Sequence, residues 1–242
     1  MLKTYTFPEY AYRQTLEQRS GQPQRRPLVI IGAGPVGLTA ALDCARRGIP
    51  VVVLDDNNSV SMGSRAVCYA KRSLEVLDRL GVGESLAAQG VKWQVGKVFF
   101  KGDLAYQFDL LPQSQHKMPA MINLQQYHLE ERLVRACMDL DPSSASTRPI
   151  PRGDQAALGS GPASVLAPAN IELRWKHKLL AVEPGDEGVS LQVQTPDGVF
   201  AMQTDWLLAC DGAGSDPRAM LGLDFEGQVF QDRFLIADVV MR

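Results

Sequence analysis

The sequence predicts an α/β fold: a parallel βαβ sheet, a β-meander that returns to it, and the beginning of a second, mixed sheet. Three observations carry this expectation. The run Leu28-Val29-Ile30-Ile31 is wholly apolar and ends at Gly32, as suits a strand covered on both faces. A helical repeat at residues 36–47 joins it to a second apolar run at 51–54. From residue 171 the pattern changes to short alternating segments separated by turn residues.

Each element follows from local chemistry. Residues 1–26 read as an N-terminal extension, because Pro8, Pro23 and Pro27 interrupt any long element. Leu38, Ala41, Leu42 and Ala45 recur at helical spacing after the first strand, and Gly48 with Pro50 supplies the stop. The run at 51–54 completes a right-handed βαβ unit. Leu74, Leu77 and Leu80 mark an amphipathic helix over 73–80, closed by Gly81. Two aromatic-containing runs, 95–100 and 104–108, flank Gly102-Asp103 and predict a hairpin. Residues 125–139 read as helical. Residues 141–170 are rich in Ser, Pro, Gly and Ala, which predicts a flexible insertion.

Beyond it, strands are expected at 171–174, 179–182, 189–195, 199–203 and 206–209, with a Pro196-Asp197-Gly198 turn. A short helix follows at 216–221 and a last strand at 234–241. The expected division is an extension at 1–26 and an incomplete main domain at 27–242, within which 93–117 and 228–242 contribute to a second, partial domain.

Composition narrows the function. With 25 basic and 27 acidic side chains and no dense Lys/Arg run, nucleic acid is not an expected partner. No apolar stretch has the length of a signal peptide or a membrane span, so a cytoplasmic protein without a membrane partner is expected. Cys44, Cys68, Cys137 and Cys210 form no CxxC pair, and His116, His128 and His177 do not cluster with them, so no metal site is expected. Cys44 and Cys137 fall in helical patterns and read as packing residues. No Ser-His-Asp pattern or P-loop lysine occurs, and the catalytic residues stay unassigned.

The chemistry concentrates at Gly32-Ala33-Gly34-Pro35-Val36-Gly37, which follows a strand and opens a helix. In that context the first glycine permits a tight turn, the second admits a pyrophosphate to the backbone, and the third lets helix and strand pack closely. Asp55 ends the second strand, where a carboxylate can accept the hydroxyls of an adenosine ribose, and Asp56 adjoins it. Together these features predict a Rossmann-like dinucleotide site. They do not separate NAD from FAD, which share the ADP half.

Three further segments do. Gly63-Ser64-Arg65-Ala66, Asn123-Leu124-Gln125-Gln126-Tyr127 and Cys210-Asp211-Gly212-Ala213-Gly214-Ser215-Asp216-Pro217-Arg218 resemble motifs of the flavoprotein aromatic-ring hydroxylases, the p-hydroxybenzoate hydroxylase-like family. The likeness is strongest to members acting on hydroxyphenylpropionate-type and related phenols, and it runs from Pro27 to Met241 apart from the insertion. It implies that Arg65 contacts FAD, that Gln126 (or else Gln125) touches the flavin chain, and that Asp211 and Gly212 belong to a motif serving FAD and NAD(P)H. The chain departs from the family at Gly214, where a charged residue is usual.

The resemblance also implies an activity. NADH or NADPH reduces FAD, the reduced flavin captures O2 as a C4a-hydroperoxide, and one oxygen passes to a small phenolic substrate. Family members are about twice this length, and a second motif, Gly-Asp-Ala-Ala-His, is absent here. The chain is therefore expected to be an N-terminal part, completed by a second polypeptide or working as a homodimer. The alternatives are a truncated, catalytically inactive nucleotide-binding remnant and an NAD-dependent dehydrogenase.

Overall fold

A computed structural model describes residues 5–63, 65–140, 170–228 and 230–233. The expected last strand at 234–241 lies outside them, as does the insertion at 141–170 except for Asn170.

The predicted βαβ unit is present as β1 (Arg25–Ile31), α2 (Pro35–Arg46) and β2 (Val51–Asp55), preceded by a short helix α1 (Leu16–Ser20). The strand β1 begins at Arg25, slightly ahead of the expected start. After β2 come β3 (Cys68–Ala70), α3 (Lys71–Arg79), α4 (Gly83–Gln89) and β4 (Val91–Trp93). Next are β5 (Val95–Phe100), β6 (Asp103–Asp109), β7 (Met121–Asn123) and α5 (Gln126–Met138). The described chain closes with β8 (Ile171–Trp175), β9 (Lys178–Gly185), β10 (Gly188–Thr195), β11 (Gly198–Ala209) and α6 (Asp216–Met220). Among the described residues no helix is long and apolar enough to cross a membrane.

The main sheet has the order β8-β2-β1-β11-β10-β9. The first four strands run parallel, and β11, β10 and β9 form the expected antiparallel meander. Side chains of β1 and β2 alternate between two cores, as strand geometry requires. Leu28, Ile30, Val51 and Val53 pack with Leu38, Leu42, Leu74 and Leu133 of the helices. Val29, Ile31, Val52 and Leu54 pack with Leu179, Val182, Leu191, Val193 and Met202 of the meander.

The structure differs from the expectation at β11, which is one strand where two were expected. Thr204 and Asp205 look like a break but are accommodated. Thr204 is buried, with its hydroxyl within hydrogen-bond distance of the carbonyls of Arg26 (3.0 Å) and Trp206 (2.8 Å), while Asp205 pairs with Arg25. The strand changes partner there, pairing with β10 up to Thr204 and with β1 from Gln203.

Two smaller sheets complete the fold. β7 pairs with both β3 and β4, a three-stranded sheet of three-residue strands that no sequence period announced. Among the described residues the hairpin β5–β6 pairs with no other strand, and Phe99, Phe100, Leu104 and Tyr106 are exposed on it.

Candidate functional site

The parallel strands place the chemistry at one end of the sheet. Residues 32–37 leave β1 between the ends of β2 and β11, because Ile31 is in register with Leu54 on one side and Ala209 on the other. Within this loop the three glycines have different surroundings. Gly32 has φ +100°, its amide donates to Leu54 O (2.8 Å), and a Cβ there would lie 2.6 Å from Cys210 O. At Gly37 a Cβ would lie 2.0 Å from Gly32 O, so the closeness of α2 to the loop itself requires glycine. Around Gly34 a Cβ would meet nothing within 4 Å, and its φ of −80° is open to any residue. No contact among the described residues therefore explains a glycine at 34, whereas a ligand laid against the backbone would.

Gly34 is also the N-cap of α2, and no side chain caps that helix. Pro35 has no N–H, and the first turn carries no acidic residue. The amides of Val36 and Gly37 thus stand at the positive end of the helix dipole, disposed to receive an anion. Val36 is largely exposed there.

Asp55 is turned onto this loop. Its Oδ2 accepts from the Ala33 N–H (2.6 Å) and its Oδ1 from the Asn57 N–H (2.8 Å), while its carbonyl accepts from the His177 N–H (2.8 Å). Burial pushes the carboxyl up, against which the amide bonds from Ala33 and Asn57 act. Each oxygen keeps acceptor capacity for a hydroxyl. The neighbouring Asp56 is exposed and accepts from the Asn57 side-chain amide (2.9 Å).

The other expected residues separate. Arg65 is exposed and makes no hydrogen bond or ion pair among the described residues. Gln126 opens α5, and its Nε2 donates to Glu130 Oε1 (2.7 Å) and Ser61 Oγ (3.3 Å), leaving Oε1 of the amide for an outside donor. Gln125, the exposed N-cap of α5, makes no side-chain cap bond. Asp211 is engaged locally: it accepts from Ser215 Oγ (2.8 Å) and the Asp216 N–H (2.9 Å), holding the start of α6. Gly212, at φ +91°, is exposed beside it. This loop nevertheless abuts the first, through Cys210 against Gly32 and Gly37.

One residue escaped the sequence reading. Glu130, only 2% exposed, accepts from both the amide and the hydroxyl of Ser61 (2.6 Å each) and from Gln126, tying the segment after β2 to α5. Its spacing of four from Gln126 was the available signal. The histidines stay apart from the site's chemistry: His177 is buried with Nδ1 on Trp175 O (2.9 Å), and burial lowers its pKa.

Comparison with known proteins gives the family. The chain is 28% identical over 214 residues to the para-nitrophenol 4-monooxygenase of Pseudomonas sp. WBC-3, covering 88% of this chain and 46% of that one. It is 28% identical over 218 residues to a 12-dehydrotetracycline 5-monooxygenase/anhydrotetracycline 6-monooxygenase of Streptomyces rimosus, covering 90% and 37%. The solved p-nitrophenol 4-monooxygenase of Pseudomonas putida DLL-E4 superposes with a TM-score of 0.70 at 28% identity, over 86% of this chain and 46% of that one. The chain thus spans about half the length, or less, of the relatives it matches. A family model described as FAD binding domain matches residues 25–242, and the chain belongs to that family.

Proposed function

We propose that this chain is the FAD-binding part of an NAD(P)H-dependent flavoprotein monooxygenase that hydroxylates a small phenolic compound with O2. One observation carries the reading: an open backbone at Gly34 and a carboxylate at Asp55 lie on one loop, joined through the Ala33 amide. That pairing suits the ADP half of FAD, and the membership of a FAD-binding family selects FAD over NAD.

The roles assigned to the chain's own groups follow from their chemistry. The Val36 and Gly37 amides and the dipole of α2 hold the pyrophosphate, with Ala33, Gly34 and Pro35 shaping the approach. Asp55 accepts the ribose hydroxyls, and Asp56 lies on the solvent side of that contact. The exposed guanidinium of Arg65 supplies charge-assisted donors to phosphate. Gln126 presents Oε1 toward the flavin chain while Glu130 holds its other end. Gly32, Gly37 and Gly212 act by permitting the backbone path. Bound FAD supplies the redox chemistry, taking two electrons from NADH or NADPH and activating O2 so that one oxygen atom enters the ring and the other leaves as water.

The hairpin β5–β6, exposed and rich in aromatic side chains, is assigned to the substrate side of the protein. The monooxygenase names of the relatives support the aromatic substrate class. The test is a titration of the purified chain with FAD, followed by NADH and NADPH oxidation in the presence and absence of phenols, with product identified by mass. Ring hydroxylation coupled to nucleotide oxidation is expected of the protein in which this chain works. Absence of any FAD affinity would refute the reading.

A further inference from the structure

The family match begins at residue 25, and the segment ahead of it is built into the fold at specific points. Tyr5 donates its hydroxyl to Glu131 Oε2 (2.7 Å) and stacks on Tyr127 (4.2 Å between centroids). Tyr10 is 7% exposed and lies flat on Trp175, at 4.5 Å and 13°. Farther on, Glu17 is buried with Oε1 receiving Arg26 Nη2 (2.6 Å) and Arg174 Nη2 (3.1 Å), which anchors the end of the segment to β1 and β8.

The middle of this segment grips the residues around Asp55. Trp175, under the Tyr10 ring, is the register partner of Asp55 across β8 and β2. The Tyr10 N–H donates to Asn58 O (2.8 Å), and Ser59 Oγ donates to Pro8 O (2.7 Å). The turn after β8 closes the frame, with Lys176 N–H donating to Asn57 O (3.0 Å) and His177 N–H to Asp55 O (2.8 Å). Both neighbours of the carboxylate, the strand beside it and the loop following it, are therefore held by residues 8–10.

We propose that residues 8–17 form a strap whose Tyr10 is a positioning residue for Asp55, so that recognition of the adenosine ribose depends on a segment outside the family's common domain. A segment that only covered apolar surface would need neither backbone bond to Asn58 nor the bond to Pro8. The inference rests on the FAD reading above, and its test separates the two.

Affinities of the full chain for FAD, ADP and 2′-deoxy-ADP are measured by calorimetry, and exchange of the Ala33 amide, whose N–H reports the place of the Asp55 carboxylate, by NMR or mass spectrometry. The unaltered chain prefers ADP to its 2′-deoxy form by about tenfold, the order expected of one hydrogen bond to a charged acceptor. Tyr10→Ala brings that ratio close to one and speeds exchange at Ala33, while Tyr10→Phe, which keeps the stack, restores both. General loss of structure would lower both affinities together and leave the ratio unchanged. A folded Tyr10→Ala with the full ratio and a protected Ala33 overturns the strap. If Tyr10→Ala does not fold, Ser59→Ala serves in its place, with the ratio falling by about threefold; an unaltered ratio there overturns the proposal equally. An unaltered chain that binds neither FAD nor ADP overturns the FAD reading and the strap with it.

Discussion

Replacing Gly34 by alanine separates a glycine kept for a ligand from glycines kept for the fold. At φ −80° the backbone accepts alanine, and the new methyl meets nothing within 4 Å. Loss of unfolded-state freedom stabilises by about 0.4–1 kcal/mol. Alanine is a poorer N-cap than glycine by about the same amount, so the two effects nearly cancel. The unfolding free energy of Gly34→Ala should thus stay within about 1 kcal/mol of the parent, a shift in Tm of about 2–4 °C for a chain of this size. Gly37→Ala is the contrast. Helix propensity favours alanine there by about 1 kcal/mol, but its Cβ would lie 2.0 Å from Gly32 O and 3.3 Å from the Cys210 Cβ, and backbone cannot rotate away. Forcing α2 outward costs about 1–3 kcal/mol or more. Urea unfolding followed by tryptophan fluorescence measures the stabilities, and calorimetry the FAD affinity. Gly34→Ala should fold like the parent and bind FAD at least about tenfold more weakly, or about 1.4 kcal/mol. A folded Gly34→Ala with parental FAD affinity would show that no ligand approaches this backbone.

Three other substitutions probe the neighbouring groups. Asp55→Asn keeps the shape but removes the charged acceptor of the Ala33 amide, and should weaken FAD and ADP by about tenfold in the same titration. Glu17→Gln should lower the urea midpoint by the equivalent of about 3 kcal/mol, since among the described residues it leaves Glu172 as the one carboxylate paired with the buried Arg174 guanidinium. Burial alone raises the Glu17 carboxyl, but Arg174 and Arg26 outweigh it and hold it at about 2, below its ordinary 4.5. The stabilisation is therefore complete above about pH 4.5 and lost as pH falls toward 2, and acid unfolding of Glu17→Gln should be correspondingly less steep. An identical acid profile in parent and variant would rule this out. Glu130→Ala leaves the Ser61 amide without its acceptor, with an expected cost of about 1–3 kcal/mol and faster exchange at that amide.

Sequence by itself determined what a short window can encode. The apolar runs of β1 and β2, the repeat of α2 and the Pro196-Asp197-Gly198 turn each act over a few residues, so the βαβ unit and the meander were legible, as was the glycine loop. The same locality explains what a short window left hidden. Thr204 and Asp205 look like a break in β11 until Arg26 and Arg25, 178 and 180 residues away, supply their partners. The three-residue strands β3, β4 and β7 are too short to show a period, and the strap reads only as an extension interrupted by prolines. Asp211 matches a motif, and its carboxylate is engaged by residues four and five positions on, at the start of α6. Only tertiary structure decided that β11 lies beside β1, that Asp55 faces the Ala33 amide, and that Tyr10 lies on Trp175. Such pairings follow from complementary shape and unsatisfied hydrogen-bonding groups on segments far apart in the chain, which become neighbours only when the core closes.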